Sequence, residues 1–405
     1  MIVIFVEPAF PPNQREFVRG LAEAGATVIG IGERPLDQLD PDLQGWMLHY
    51  HRVGNVTDVG AMTDAVRWVQ ERLWVDRLEA VVEAHTMTAA QVRENCTIPG
   101  TSVRTAWLCR DKPSMKEVLR AAGVPTAASA AAHTAAEVRE FAAAVGFPLI
   151  LKPRAAAGAS GTVRVDGAEE LDAALAGFGA ADSIAVEEFV EGHEGFYDTL
   201  SINGEPAYDF ITHYFPNVLD AMRTRWINPQ FVATNRVDTV PEYAEVREMG
   251  RRVAAALGIE TSPTHMEWFF GPRGLRFSEI GCRPPGVRAW DLYAAGNDVD
   301  IYREWANAIV HGGVDRPLSR RRAAGIVALR PDHDGQIAGY EGVDEVQQRF
   351  GEHILDVHLP EPGTPTQPVE AGYMANAWVR MVHPDYDVLR EMLDAVGQTL
   401  KVRAS

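Results

Sequence analysis

The chain has 405 residues, of which 46% are apolar and 23% are charged, and its formal net charge at pH 7 is -18. This length suits two to four domains with a sizeable core. The negative charge excludes general binding of nucleic acid, because the surface repels a phosphate backbone. Only three cysteines are present, which excludes a disulfide framework and a four-cysteine zinc site and is typical of the reducing cytoplasm.

The N-terminal region, to about residue 105, predicts a parallel, doubly wound α/β domain. The first apolar run is too short for a signal peptide, and no run reaches the roughly 18 apolar residues of a transmembrane helix, so we expect no membrane partner. The dinucleotide fingerprint fails, because no third glycine follows Gly30 and Gly32 at the required spacing. The expected elements are a strand at 2–6, a helix at 14–24 and strands at 27–31 and 80–83.

The middle of the chain predicts helices and strands around a loop of small residues. A helix should begin after Asp111 and stop at Gly123, and Thr134 with Glu137 forms a capping box for the next helix. Lys152 ends an apolar strand, and Ala, Gly and Ser residues follow it directly. Further expected elements are strands at 162–165 and 183–187 and a helix at 243–257.

Two apolar runs on either side of a Gly/Pro loop predict a β-hairpin. If Gly271 pairs with Leu275, Glu267 lies directly opposite Glu279, with Cβ atoms about 5 Å apart. Like charges at this distance destabilise a sheet unless something neutralises them, and Mg²⁺ prefers carboxylate oxygens. The pair therefore predicts a metal site, with a hairpin facing water as the alternative. Arg283, four residues further on, would place a cation beside it.

Three other groups of residues could carry chemistry. The loop after Lys152 could bring backbone N–H groups close to phosphate oxygens, unless it is an ordinary hairpin turn. The strand end at 187–190 could bind an adenine edge and Glu194 could reach ribose hydroxyls, unless this is an acidic surface turn. His265 shares a predicted face with Glu267, which favours a catalytic role about as much as a packing role.

The last part of the chain, from about residue 331, changes character. Glycines punctuate short stretches that predict strands, and a final helix is expected near 386–396. This pattern predicts a small α+β domain at the C-terminus.

The order of these groups along nearly the whole chain resembles the ATP-grasp superfamily, and within it the carboxylate–amine ligases such as L-amino acid ligases. The resemblance implies a fold of α/β and α+β parts. An N-terminal α/β domain would occupy 1–105, an ATP-grasp domain 106–330 with subdomains at 106–186 and 187–330, and a closing domain 331–405. It also implies ATP and one or two Mg²⁺ ions, for which Mn²⁺ can substitute.

The resemblance further implies roles for individual residues. Glu267 and Glu279 match the Mg²⁺ ligands, and Glu194 matches the ribose-binding carboxylate. Arg283 matches the arginine that holds the acyl phosphate, and His265 would orient that group or help to deprotonate the amine. The remaining matches concern the binding of ATP. They are Lys112 and Lys152 as contacts of the phosphates, Ala157, Gly158, Ser160 and Gly161 in the lid over the phosphates, and Glu187, Glu188, Phe189 and Val190 in the hinge that binds adenine.

The implied function is an ATP- and Mg²⁺-dependent, ADP-forming ligase that joins a small-molecule carboxylate, from an amino acid, to an amine through an acyl phosphate. Gly281 stands where many members carry a metal-binding asparagine, so the number of ions stays open. Residues 206–236, which include several arginines, are expected to select the substrate. The alternatives are an ATP-dependent carboxylase, a purine-pathway ligase and a nucleotide-binding module without catalysis. A homodimer through the α/β domains is the assembly that this architecture often has.

Overall fold

A computed structural model of the chain describes residues 1–153, 161–177 and 183–405. Within these ranges, none of the helices combines the length and the apolar character needed to pass through a bilayer. The strands form sheets of four, eight, two and four strands. The first sheet is parallel and the others are antiparallel, so the expected mixture of α/β and α+β parts is confirmed.

The N-terminal part is a parallel sheet of order β3-β2-β1-β4 flanked by helices. The prediction of a strand at 80–83 is wrong, because β4 ends at Glu79 and a helix begins at Glu83. Strand β3 was not predicted, since it lies at the sheet edge and carries histidines and an arginine instead of an apolar run. The elements are β1 Ile2–Val6, α1 Gln14–Glu23, β2 Thr27–Gly32, α2 Pro41–Gly45, β3 Met47–Arg52, α3 Val59–Gln70, β4 Arg77–Glu79, α4 Glu83–Cys96 and α5 Val103–Leu108.

The next part is a small antiparallel sheet of order β5-β8-β6-β7. Asp111 caps the N-terminus of the helix that begins at Lys112, because its side chain accepts a hydrogen bond from the amide of Ser114. The capping box of Thr134 and Glu137 is confirmed. The elements are α6 Lys112–Ala121, β5 Ser129–Ala132, α7 Ala135–Val145, β6 Leu149–Pro153, β7 Val163–Val165, α8 Ala168–Gly177 and β8 Ile184–Glu188.

The largest sheet has the order β13-β12-β9-β10-β11-β14-β17-β16, and β15 pairs with β18 beside it. The helix expected at 243–257 is confirmed, and Gly258 ends it in the left-handed conformation. Strands from beyond residue 331 extend this sheet, while the domain boundaries themselves stay predictions. The elements are β9 His193–Ile202, β10 Glu205–Phe215, α9 Val218–Ala221, β11 Gln230–Ala233, α10 Tyr243–Leu257, β12 Ser262–Gly271, β13 Gly274–Gly281, α11 Ala289–Asn297, α12 Ile301–His311, β14 Ala323–Leu329, β15 Ile337–Glu341, α13 Val343–Phe350, β16 Ile354–His358, β17 Ala377–His383, α14 Tyr386–Thr399 and β18 Lys401–Ala404.

An aromatic cluster packs the N-terminal domain against helix α12. Phe17 of α1 contacts Trp305 and Tyr302 of α12, with ring centroids 5.1 and 5.0 Å apart. Trp305 is fully buried and also meets the edge of Phe5 in β1. The two helices touch at Gly20, where an added Cβ would lie 2.6 Å from the carbonyl oxygen of Tyr302. The cluster therefore fixes where the N-terminal domain sits.

The substitution Trp305→Ala should destabilise the protein by about 3–5 kcal/mol, because it removes a large buried side chain from this cluster. Urea unfolding of parent and variant measures the loss. Trp74→Ala is the matched control, since Trp74 is 79% exposed and its removal should change the free energy of unfolding by about 0.5 kcal/mol or less. Equal effects of the two substitutions would contradict this account of the docking.

Candidate active site

The two carboxylates expected to oppose each other do so. Glu267 of β12 pairs directly with Glu279 of β13. The assumed pairing of Gly271 with Leu275 is wrong, because Gly271 pairs with Gly274. A bulge shifts the register by one residue between the turn and the carboxylates, which restores their opposition. The hairpin therefore reaches the predicted arrangement by a route that its sequence did not indicate.

Lysines lie against these carboxylates. Lys112 Nζ of α6 is 3.1 Å from Glu279 Oε2, and Lys152 Nζ of β6 is 4.0 Å from the same oxygen. Burial by itself would raise the pKa of Glu279, but the two lysines outweigh it and lower the pKa below its ordinary value. A metal is therefore not the sole group that can neutralise the carboxylate pair, as the sequence argument assumed.

Lys116 is a third lysine of the site, and the sequence analysis missed it. Its Nζ lies 2.7 Å from Glu187 Oε1, while Lys152 Nζ lies 2.8 Å from Glu187 Oε2. Burial lowers the pKa of Lys116 to about 8, and the lysines hold the pKa of Glu187 at about 2 although burial would raise it. The available signal was the i, i+4 spacing from Lys112, which places both lysines on one face of α6.

His265 lies between two carboxylates. Its Nδ1 is 2.7 Å from Asp198 Oδ1, and its Nε2 is 3.7 Å from Glu267 Oε1. Asp198 is buried and also accepts a 2.5 Å hydrogen bond from the hydroxyl of Tyr293. Burial alone would lower the pKa of His265, but Asp198 outweighs it and raises the pKa to about 9. The imidazole is therefore protonated on both nitrogens and positively charged at pH 7, with Nε2 on the side of Glu267.

The predicted hinge, residues 187–190, begins in the last two residues of β8, and the predicted ribose-binding residue Glu194 lies at the start of β9. Glu188 forms an ion pair with Arg273 at the hairpin turn and accepts a hydrogen bond from the amide of Ala128. Glu194 is buried and accepts a 2.7 Å hydrogen bond from the amide of Val218. Burial raises the pKa of Glu194 well above its ordinary value, and the nearby Glu267 charge adds to the shift.

These residues line one cavity of about 540 Å³ between the small sheet and the large sheet. Its size is in the range of small-molecule sites. The predicted site residues that line it are Lys112, Lys152, Glu187, Glu188, Phe189, Val190, Glu194, His265, Glu267, Glu279 and Arg283. Of the predicted lid, Ala157, Gly158 and Ser160 lie outside the described residues, and Gly161 is an exposed turn residue with φ of 67° just before β7.

The segment expected to select the substrate contributes to the cavity, but not through its arginines. Tyr214 and Phe231 line the wall, together with residues 217–220. Arg225 instead pairs with Asp334, and Arg236 with Asp387. A C-terminal segment that was not predicted, with Gln367 and residues 371–374, also lines the cavity, and Tyr373 contacts the ring of Tyr214 there.

Two carboxylates on facing strands suit Mg²⁺ that arrives with a nucleotide. Mg²⁺ usually takes one or two protein carboxylates and completes its shell with water and phosphate oxygens. Within residues 1–153, 161–177 and 183–405, no group of three or more His, Cys, Asp or Glu side chains could hold an ion alone. Glu267 and Glu279 therefore fit a metal bound together with phosphates. At Gly281 no side chain adds a further ligand.

Comparison with known proteins identifies a domain and a shared fold. The family model for the ATP-grasp domain matches residues 117–295. The crystal structure of an L-amino acid ligase from Bacillus licheniformis superposes with a TM-score of 0.78 at 19% identity, covering 100% of this chain and 98% of that one. Residues 117–295 therefore match an ATP-grasp domain, and the chain shares the fold of that L-amino acid ligase.

Two sequence relatives each match 78% of this chain. The protein y4rH of Sinorhizobium fredii is 28% identical over 330 residues, which are 78% of this chain and 62% of that protein. The chain thus matches less than two thirds of the length of this relative. The L-arginine-specific L-amino acid ligase of Bacillus subtilis is 25% identical over 324 residues, which are 78% of this chain and 76% of that enzyme.

The substitution Glu187→Gln should destabilise the protein at pH 7 by about 3–5 kcal/mol, because it removes the nearest counter-charge of two buried lysines. The pKa of Glu187 is about 2 in the folded protein against an ordinary value of 4.5. Its contribution is therefore present above pH 4.5 and is lost as the pH falls towards 2. Urea unfolding at a series of pH values should show the difference between parent and variant shrinking below pH 4.5. A difference that does not change with pH would contradict the assignment.

Proposed function

We propose that the protein is a ligase that couples ATP cleavage to the joining of an amino acid carboxylate to an amine, through an acyl phosphate. One observation carries the proposal: a single cavity brings the opposed carboxylates Glu267 and Glu279 together with Lys112 and Lys152. Such a set of charges suits the phosphates of a metal-bound nucleotide. The likeness to an L-arginine-specific L-amino acid ligase supports an amino acid as the donor of the carboxylate.

ATP would lie across the cavity from the hinge to the hairpin. Its adenine would meet the strand end at 187–190, and Glu194 would bind the ribose. Lys112 and Lys152 would contact the phosphates, since each already lies within 4.0 Å of a carboxylate that borders the same space. Glu267 and Glu279 would hold Mg²⁺, which when bound neutralises charge on the phosphate oxygens.

The first step would be phosphoryl transfer. A carboxylate oxygen of the acid bonds to the γ-phosphorus while the bond to the β–γ bridging oxygen breaks, which yields an acyl phosphate and ADP. No protein nucleophile is needed. The ammonium groups of Lys112 and Lys152 stabilise the charge that develops on the transferred group.

The second step would form the amide. The amine attacks the acyl carbon, the bond from that carbon to the phosphate oxygen breaks, and the departing inorganic phosphate takes up the proton that the amine loses. The guanidinium of Arg283 stabilises the oxyanion of the tetrahedral intermediate. His265 is protonated at pH 7 and is held by Asp198, so its Nε2–H would orient the acyl phosphate by donating a hydrogen bond.

Incubation with ATP, Mg²⁺, pooled amino acids and pooled amines tests the proposal. ADP and phosphate should accumulate only when both the right acid and the right amine are present, and mass spectrometry should detect the amide. Bicarbonate-dependent release that needs no amino acid would favour a carboxylase or a purine-pathway ligase. Release that ignores all acids and amines would leave only ATP hydrolysis and overturn the proposal.

The substitution Glu279→Gln should reduce turnover by at least about 100-fold, because it weakens the metal site and removes the ion pair with Lys112. Calorimetric titration with Mg²⁺ and ATP should show weaker uptake in the variant. Glu140→Gln on the exposed face of α7 is the matched control and should behave as the parent. Full activity of the Glu279 variant would remove the metal role.

A further inference from the structure

A contact between two distant parts of the chain reaches into the site. Arg283 Nε donates a 2.8 Å hydrogen bond to Glu83 Oε2, although the two residues are 200 positions apart. Glu83 begins α4, just beyond the carboxyl end of β4 in the N-terminal sheet. The side chains of Arg283 and Glu83 are only 19% and 26% exposed. A partly buried, charge-assisted hydrogen bond of this kind fixes orientation more firmly than a surface ion pair does.

The contact fixes the plane of the guanidinium. Arg283 Nη1 also donates a 2.9 Å hydrogen bond to the carbonyl oxygen of Pro284. A planar group bound through two of its nitrogens has little freedom to turn. Arg283 lines the cavity in this orientation.

Gly281 makes room for the contact. A Cβ at this position would lie 3.1 Å from Glu83 Oε2 and 3.4 Å from Arg283 Cγ. The first distance is too short for an undisturbed carboxylate. A Cβ at position 281 would therefore force the Glu83 carboxylate to shift by a few tenths of an ångström from the position in which it meets Arg283. The glycine that provides no metal ligand thus provides the space in which Glu83 reaches the arginine.

The charges leave Arg283 able to attract an anion. Glu83 Oε1 also lies 3.8 Å from Arg110 Nε, so one carboxylate is shared by two guanidinium groups. The three side chains together keep one net positive charge. Glu83 can therefore orient Arg283 without cancelling the field that the arginine projects into the cavity.

We infer that Glu83 of the N-terminal domain is a positioning residue for Arg283, so that the α/β domain completes the ligation site. The inference rests on the role of Arg283 in the proposed function. It gives the N-terminal domain a part in the reaction that the ATP-contacting residues do not reveal. It also predicts that the effect of Glu83 depends on Arg283 and on the absence of a side chain at Gly281.

The experiment is a mutant cycle on Glu83 and Arg283, assayed by amine-dependent release of phosphate. Glu83→Ala should lower kcat about 10- to 100-fold, because a displaced group loses its alignment with the reacting atoms, while KM for ATP stays nearly constant. Glu83→Asp should recover part of the loss. In the background of Arg283→Met, which should itself lower kcat, the additional Glu83→Ala change should have little further effect.

Gly281→Ala gives a second test of the same geometry. It should lower kcat in the parent, where the new Cβ meets Glu83, and should add little in the Glu83→Ala background. Asp344→Ala is the matched control, because it removes a first-turn acid from another helix, α13. Its kcat should equal that of the parent. Thermal unfolding of each variant checks that the fold persists.

Several results would overturn the inference. Additive losses from Glu83→Ala and Arg283→Met would show that Glu83 acts independently, and a faster Glu83→Ala enzyme would show that it restrains the arginine instead. If Arg283→Met is inactive but Glu83→Ala keeps full activity, the inference fails and the proposed function stands.

A binding readout separates this failure from failure of the proposed function. If no acid and amine react with the parent protein, the ligation proposal fails by itself. The rise in unfolding temperature caused by inorganic phosphate in the presence of Mg²⁺ and ADP then tests Glu83 directly. Glu83→Ala should lose that rise as Arg283→Met does, and an unchanged rise in Glu83→Ala would overturn the positioning role.

Discussion

The opposition of Glu267 and Glu279 across one hairpin is the constraint on which the rest of the site depends. Two like charges on neighbouring strands need compensation, and the cations that supply it come from α6 and β6, outside the large sheet. Glu187 extends the same compensation, because it binds Lys116 and Lys152 at once. Charge pairing therefore couples the small antiparallel sheet to the large one.

This pairing also decides what the cavity can accept. Buried charges without partners are costly, so a protein keeps such a cluster only with close mutual contacts. The phosphates of a nucleotide can pair with the lysines while a divalent ion pairs with the carboxylates, so that each charge keeps a partner. A neutral ligand carries no charge that could replace these ion pairs, so the lysines would stay paired with the carboxylates. The cluster therefore favours a nucleotide that arrives with its metal.

Local patterns allowed much of the fold and part of the site to be predicted from the sequence. The capping box at Thr134 and the helix that Gly258 ends depend on residues close together in the chain. The hairpin carboxylates were also found, although the bulge that aligns them was not. Features that depend on distant contacts were missed, because no local pattern encodes them. These are the edge strand β3, the buried Lys116, the contact of His265 with Asp198, the hydrogen bond from Tyr293 to Asp198, and the cavity wall at 371–374.

The parts that were missed explain why the site needs the whole chain. The wall at 371–374 is tied down by the Tyr373 hydroxyl, which donates a 2.5 Å hydrogen bond to the carbonyl oxygen of Gln230. Arg330 holds the same wall through the carbonyl oxygens of Gly372 and Tyr373. The N-terminal domain contributes through Glu83, which accepts a hydrogen bond from Arg283 of the cavity lining. Because an acyl phosphate hydrolyses in water, a cavity walled from several parts of the chain suits a reaction that must exclude solvent between its two steps.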